Sequence, residues 1–124
     1  MIFLDTNIVI WCYQNNTKMI SKKVIEKIEK NDVCCSPMVK LELAYLYEIG
    51  KAKNKANIVL DSLYNSIGLS IHDLSFDKII NTAMELKWTR DPFDRLIVAH
   101  AKALNCELLT KDEMIRNYYE KAIW

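Results

Sequence analysis

Carboxylates at four positions, Asp5, Glu42, Asp94 and Asp112, carry the chemistry that can be read from this sequence. Brought together, such side chains hold hard divalent cations through oxygen. Glu42 falls in the middle of an apolar helical stripe made by Met38, Leu41, Tyr45, Leu46 and Ile49, and Asp94 shares a stripe with Ile97, Val98 and Ala101. An unpaired ionised carboxylate on an inward face costs several kcal/mol. Each must therefore be protonated, paired with a base or bound to a cation; for Glu42 a lysine salt bridge or a rim position is the plain alternative. Asp5 and Asp112 follow short apolar runs, IFL and LL, the latter after a Thr110-Lys111 step, so each stands at the carboxyl end of a predicted strand. In an open parallel sheet that edge binds ligands, although aspartate there also caps the following helix.

The elements that must position these acids alternate. Strands are predicted at Ile2 to Leu4, Val33 to Cys35, Leu69 to Ile71, Glu107 to Leu109 and Ala122 to Trp124. Helical patterns cover Ile8 to Tyr13, Lys22 to Lys30, Pro37 to Ile49, Lys51 to Asn65, Phe76 to Lys87, the run opened by Asp91-Pro92 and closed at Asn105, and Asp112 to Lys121. Ser36-Pro37 and Asp91-Pro92 each pair an N-cap residue with proline at the first helical position, and Gly50 suits the left-handed end of a helix. The expectation is a three-layer α/β/α fold, with a central mainly parallel sheet of four to five short strands flanked by helices. With two glycines, two prolines and no linker or repeat, residues 1–124 read as one domain. In this reading Asp91 is the cap of its helix and Asp94 the chemical residue.

Other features exclude function classes. The 17 basic and 16 acidic residues leave a net charge of +1, so the chain lacks the basic footprint of a general nucleic-acid coat protein. The four cysteines show no CxxC pair and no zinc spacing; they are expected to be buried reduced thiols. The start MIFLDTN shows no charged leader or long hydrophobic segment, which predicts a cytoplasmic protein without a membrane anchor. Lysines 22, 23, 27 and 30, and lysines 51, 53 and 55, read as solvated helix faces. His72 and His100 have no acid or nucleophile at motif spacing and read as structural. Leu43 and Tyr47, opposite Glu42, form either further core or a contact surface.

Four segments, FLDTNIVI, VKLELAYLYEIGK, RDPFDRLIVAHA and LLTKDE, occur in the order found in the PIN-domain family, and the chain resembles above all the VapC-type toxins of toxin–antitoxin pairs. The resemblance implies a metal-dependent endoribonuclease, with Mg2+ or Mn2+ as cofactor, RNA as substrate, and an antitoxin and a second copy of the chain as partners. It places the family's acidic positions on Asp5, Glu42, Asp94 and Asp112. Asp5 and Asp94 would be the principal metal ligands, Glu42 a ligand or the group orienting the attacking water, and Asp112 a ligand of a second ion. Thr6 and Asn7 match the polar pair that supports the first aspartate in the family; from the residues themselves, Thr6, Asn7 and Thr110 either bind a phosphate, support the ligands or cap helices, and Arg95 either contacts a phosphate or pairs with an acid. Four like charges about 4 Å apart repel by roughly 4 kcal/mol per pair, so hard cations are what would let them stay ionised together. A catalytically silent PIN-fold module that binds RNA or protein is the alternative. The tail beyond LLTKDE is short, which leaves the final strand open.

Overall fold

A computed structural model describes all residues, 1–124. Five strands, β1 (Ile2–Leu4), β2 (Val33–Cys35), β3 (Ser70–Ile71), β4 (Leu108–Leu109) and β5 (Ala122–Ile123), form one sheet in the order β3-β2-β1-β4-β5, and every pairing is parallel. Flanking it are α1 (Thr6–Tyr13), α2 (Lys22–Lys30), α3 (Pro37–Glu48), α4 (Ala56–Ile67), α5 (Phe76–Ala83), α6 (Pro92–Ala103) and α7 (Glu113–Tyr118). The inner strands IFL, VCC and LL are apolar at every position because helices cover both faces of a parallel sheet, and all of these residues are buried. No helix is long and apolar enough to cross a membrane.

The strand order has a consequence for ligands. From β1 the chain moves outward through β2 to β3, then crosses back to lay β4 on the opposite side of β1. The order reverses at β1, so the carboxyl ends of β1 and β4, where Asp5 and the Thr110-Lys111-Asp112 step emerge, form the switch point at which open α/β sheets bind ligands.

Boundaries differ from the sequence pattern where tertiary packing outweighs periodicity. Helix α1 starts two residues early, at Thr6, because Asp5 caps it. Helix α4 starts at Ala56 rather than Lys51: Gly50 takes a positive φ of 77° and the charged Lys51–Lys55 segment runs free of the helix. The pattern over Phe76 to Lys87 is helical only to Ala83 and ends in turns, and α7 is shorter than the predicted Asp112 to Lys121. Asn105, at φ 55°, does end α6, and the strand left open by the short tail forms as β5.

The larger correction concerns α3. Leu41, Tyr45 and Ile49, assigned to its inward stripe, are exposed, while Val39 and Leu43 are its buried residues. Helix α3 is apolar on most of its circumference, so period alone does not choose the buried side; packing against α1, α4 and α6 does. Leu43, offered as contact surface or core, is core. His72 and His100 partner each other, Nδ1 to Nε2 at 3.1 Å beside the Phe3 ring, and burial holds His100 down to about 4. All four cysteines are free; Cys34 and Cys35 are buried, and Cys12 and Cys106 half-buried.

These faces can be told apart by stability. Leu43→Ala is predicted to cost about 2–5 kcal/mol, and Leu41→Ala to stay within about 0.5 kcal/mol, in urea unfolding midpoints. The reverse ranking would restore the stripe read from sequence.

Candidate active site

Asp5 is the residue at which β1 stops and α1 begins. Its backbone is extended, and its Oδ1 accepts the Thr6 backbone N–H at 2.8 Å, which satisfies one of the helix's unpaired donors. Its other oxygen, Oδ2, accepts the Thr110 hydroxyl at 2.6 Å. The Thr110 Oγ in turn accepts the Asp112 N–H at 3.1 Å, and Asp112 Oδ1 accepts from Ile115 N at 2.9 Å as the cap of α7. A continuous chain of bonds thus runs from the end of β1 to the start of α7. Asp5 and Thr110 are both buried.

Helix α6 brings the third side of the site. Asp91 Oδ1 accepts from Phe93 N at 2.8 Å and Asp94 N at 3.1 Å, and Pro92 supplies the preset first turn. Asp94 then projects from that turn, half-buried, as Glu42 does from α3. Tyr45 and Phe93, ring centroids 5.6 Å apart, hold these two helices together beside the acids.

The electrostatics show which acids share one field. Asp94 is pushed up to about 7, chiefly by burial and then by Asp5, Asp91, Asp112 and Glu42. Burial also raises Asp5, against the hydrogen bonds from Thr110 and Thr6, and Asp112 and Asp91 raise it further. Glu42 is raised by burial, relieved by the neighbouring Thr6 hydroxyl, and raised again by Asp5 and Asp91. The other three predicted acids thus all act on Asp94 through one electrostatic field. Asp91, read from sequence only as a cap, is a fifth member of the field; its place at the start of the helix carrying Asp94 was the available signal.

No base neutralises the group. The one salt bridge in the structure joins Lys27 to Glu107 at 2.9 Å, which removes the lysine-pair explanation of Glu42. Arg95 instead donates through Nε to the Ala83 carbonyl at 2.8 Å, tying α6 to the end of α5. Asn7 is exposed on the first turn of α1. Thr6 Oγ is buried without a hydrogen-bond partner of normal geometry. No three of the acids stand close enough in this structure to hold an ion between them. Yet an all-oxygen donor set with raised affinity for protons suits a hard divalent cation, and offers nothing to a thiophilic one.

One pH dependence follows. The ordinary value for Asp94 is 3.8 and the folded one about 7, so between them the metal-free folded state binds the extra proton. Stability from this group is thus full below about pH 4 and falls as pH rises toward 7. Asp94→Asn should relieve that loss, by on the order of 1 kcal/mol because the half-exposed group is screened. Thermal unfolding in chelator from about pH 4.5 to about pH 8 measures it, and the difference between the two proteins cancels the opposite contribution of His100. Parallel curves would sink the assignment.

Two solved structures are similar over the whole chain. One is described as a toxin–antitoxin complex from Klebsiella pneumoniae, with TM-score 0.71 and 16% identity, covering 100% of this chain and 97% of that one. The other is a crystal structure of VapBC2 from Rickettsia felis bound to a DNA fragment from their promoter, with TM-score 0.66 and 25% identity, covering 100% and 98%. No curated protein sequence matches. The model of the PIN domain family matches residues 2–121. That span takes in every strand but β5, and all five acids; the chain belongs to the PIN domain family.

Proposed function

We propose that this chain is an endoribonuclease that hydrolyses RNA phosphodiester bonds with Mg2+ or Mn2+, acting as the toxin of a type II toxin–antitoxin pair that arrests translation. The observation that carries the proposal is a group of carboxylates without a neutralising base at the strand-order reversal of a PIN domain. An evolved fold retains so unfavourable a group where something cationic binds it.

In this reading Asp5 and Asp94 are the principal ligands, with Glu42 as ligand or as the group that orients the attacking water, and Asp112 at a second ion. Magnesium or manganese held there supplies a water of lowered pKa and stabilises the leaving oxygen during in-line attack on a phosphodiester. Thr110 fixes the Asp5 carboxylate by donating to Oδ2, and its own orientation is set by the Asp112 N–H. Asp94, protonated near neutrality without a cation, gives up that proton when one binds. Thr6 Oγ, buried beside Glu42, steadies that carboxylate and can turn to a ligand of the ion or to a phosphate oxygen. Asp91 keeps the first turn of α6 in place and adds to the negative field.

The partner half of the proposal is supported by the two structural neighbours, both toxin–antitoxin complexes matched over nearly their whole chains. Helix α3 leaves Leu41, Tyr45, Tyr47 and Ile49 exposed, a run of apolar surface that an antitoxin or a second copy would cover. A cytoplasmic site of action goes with this reading, since its RNA targets are there.

Two measurements test it. Purified protein with magnesium or manganese should cleave total RNA, chelator should abolish cleavage, and Asp94→Asn should lower the rate about 100-fold or more. Thr110→Val, which keeps shape and removes the hydroxyl, should lower it about 10- to 100-fold. Clean metal-loaded protein that leaves RNA intact, or an Asp94→Asn variant as active as its parent, rejects the enzyme and leaves a binding module. Expression without the product of a neighbouring antitoxin gene should arrest growth; harmless expression rejects the toxin role.

A further inference from the structure

The turn that carries Thr110 and Asp112 also carries Lys111, and this lysine is held unusually. Its Nζ lies 5.8 Å from the ring centroid of Trp11 on α1 and 5.5 Å from that of Trp124, just past β5. The two indoles lie 6.1 Å apart at 59°, so the ammonium sits at the mouth of a tilted aromatic pair. Both distances are within the range of cation–π attraction. No carboxylate pairs with Lys111, although Asp112 is its neighbour in sequence and the acidic field lies on the same edge of the sheet.

That pairing matters for charge. A lysine bridged to a carboxylate is neutralised and offers little to an anion, whereas an indole face leaves the full charge and the outward N–H donors in place. The side chain is exposed, and α1 gives its position relative to the acids. Trp11 lies six residues beyond Asp5, about 9 Å along the helix, and the ammonium held at its ring makes no ion pair with any of the acids.

We infer that Lys111, fixed between Trp11 and Trp124, is a binding site for a backbone phosphate of single-stranded RNA next to the phosphate that is cut. The inference rests on the nuclease reading and names a residue that holds the strand in register. Near five repelling carboxylates a fixed cation recovers attraction for a polyanion without neutralising the acids. Helical lysines such as Lys22 and Lys23 cannot do this, since they stand on exposed faces of α2 without an aromatic holder.

Counterion release makes the test quantitative. Binding of a fluorescently labelled oligouridylate is measured with calcium in place of magnesium, from about 50 to about 200 mM potassium chloride. Lys111→Ala should make the slope of log affinity against log salt shallower by about 0.7, the value for one phosphate contact to a single strand. Lys111→Arg should keep the parental slope. Trp124→Leu should keep the slope and lose affinity a few-fold at every salt concentration, because the cation remains but is no longer fixed. A parental slope in Lys111→Ala overturns the site even if affinity falls, and parental affinity in Trp124→Leu overturns the role of the indoles. Protein that cleaves RNA with magnesium yet gives either result refutes this inference alone; protein that neither binds nor cleaves RNA refutes the nuclease reading.

Discussion

The hydrogen bond from the Thr110 hydroxyl to Asp5 joins residues 105 positions apart in sequence, at the ends of the two strands between which the sheet order reverses. Much of the site hangs from it. It satisfies one oxygen of a buried carboxylate whose other oxygen already caps α1, so the side chain has little freedom left. Because Thr110 Oγ also receives the Asp112 N–H, the start of α7 takes its position from the same hydroxyl. Threonine is well chosen as the donor, since it binds a carboxylate strongly without bringing a countercharge that would compete with a cation.

Three helices start at the site, α1, α6 and α7, and each is capped by an aspartate of the acidic field. Each helix start carries the equivalent of about half a positive charge from its aligned peptides. Three such ends facing one group of acids offset part of their repulsion. Capping and ligation therefore do not compete as explanations of Asp5, Asp91 and Asp112. The cap orients the carboxylate and leaves lone pairs for other partners, and the helix end makes the negative charge tolerable until a cation arrives.

Much of this is legible in the sequence, for identifiable reasons. Asp5 and Asp112 follow apolar runs, and Asp91-Pro92 is a helix start by residue type alone, so their common edge follows from chain direction in a parallel sheet. Asp94 keeps its predicted inward stripe, since Ile97, Val98 and Ala101 are all buried. Glu42 stands out in the sequence for a mistaken reason: the stripe around it is largely exposed, and it is half-buried because α3 crosses the acidic edge beside α6. Period cannot choose a face on a helix that is apolar nearly all round. Nor can spacing reveal the His72–His100 pair or the Lys111 holder, since both join residues that only strand pairing and helix packing bring together.

The sheet's layout also bears on how this protein can change. Asp5 hangs from β1, the central strand, which is hydrogen-bonded on both sides and buried throughout. One of the two edge strands, β3, is two residues long with both side chains exposed, and the helix that follows it presents Phe76 to solvent. Substitutions of these exposed side chains touch neither the strand that carries Asp5 nor the threonine that fixes it, whereas His72, the next residue, packs on Phe3 of β1 and must stay. The fold thus separates a part that must stay constant from a margin free to drift, and new recognition can be acquired at that margin while the chemistry at the centre is inherited unchanged.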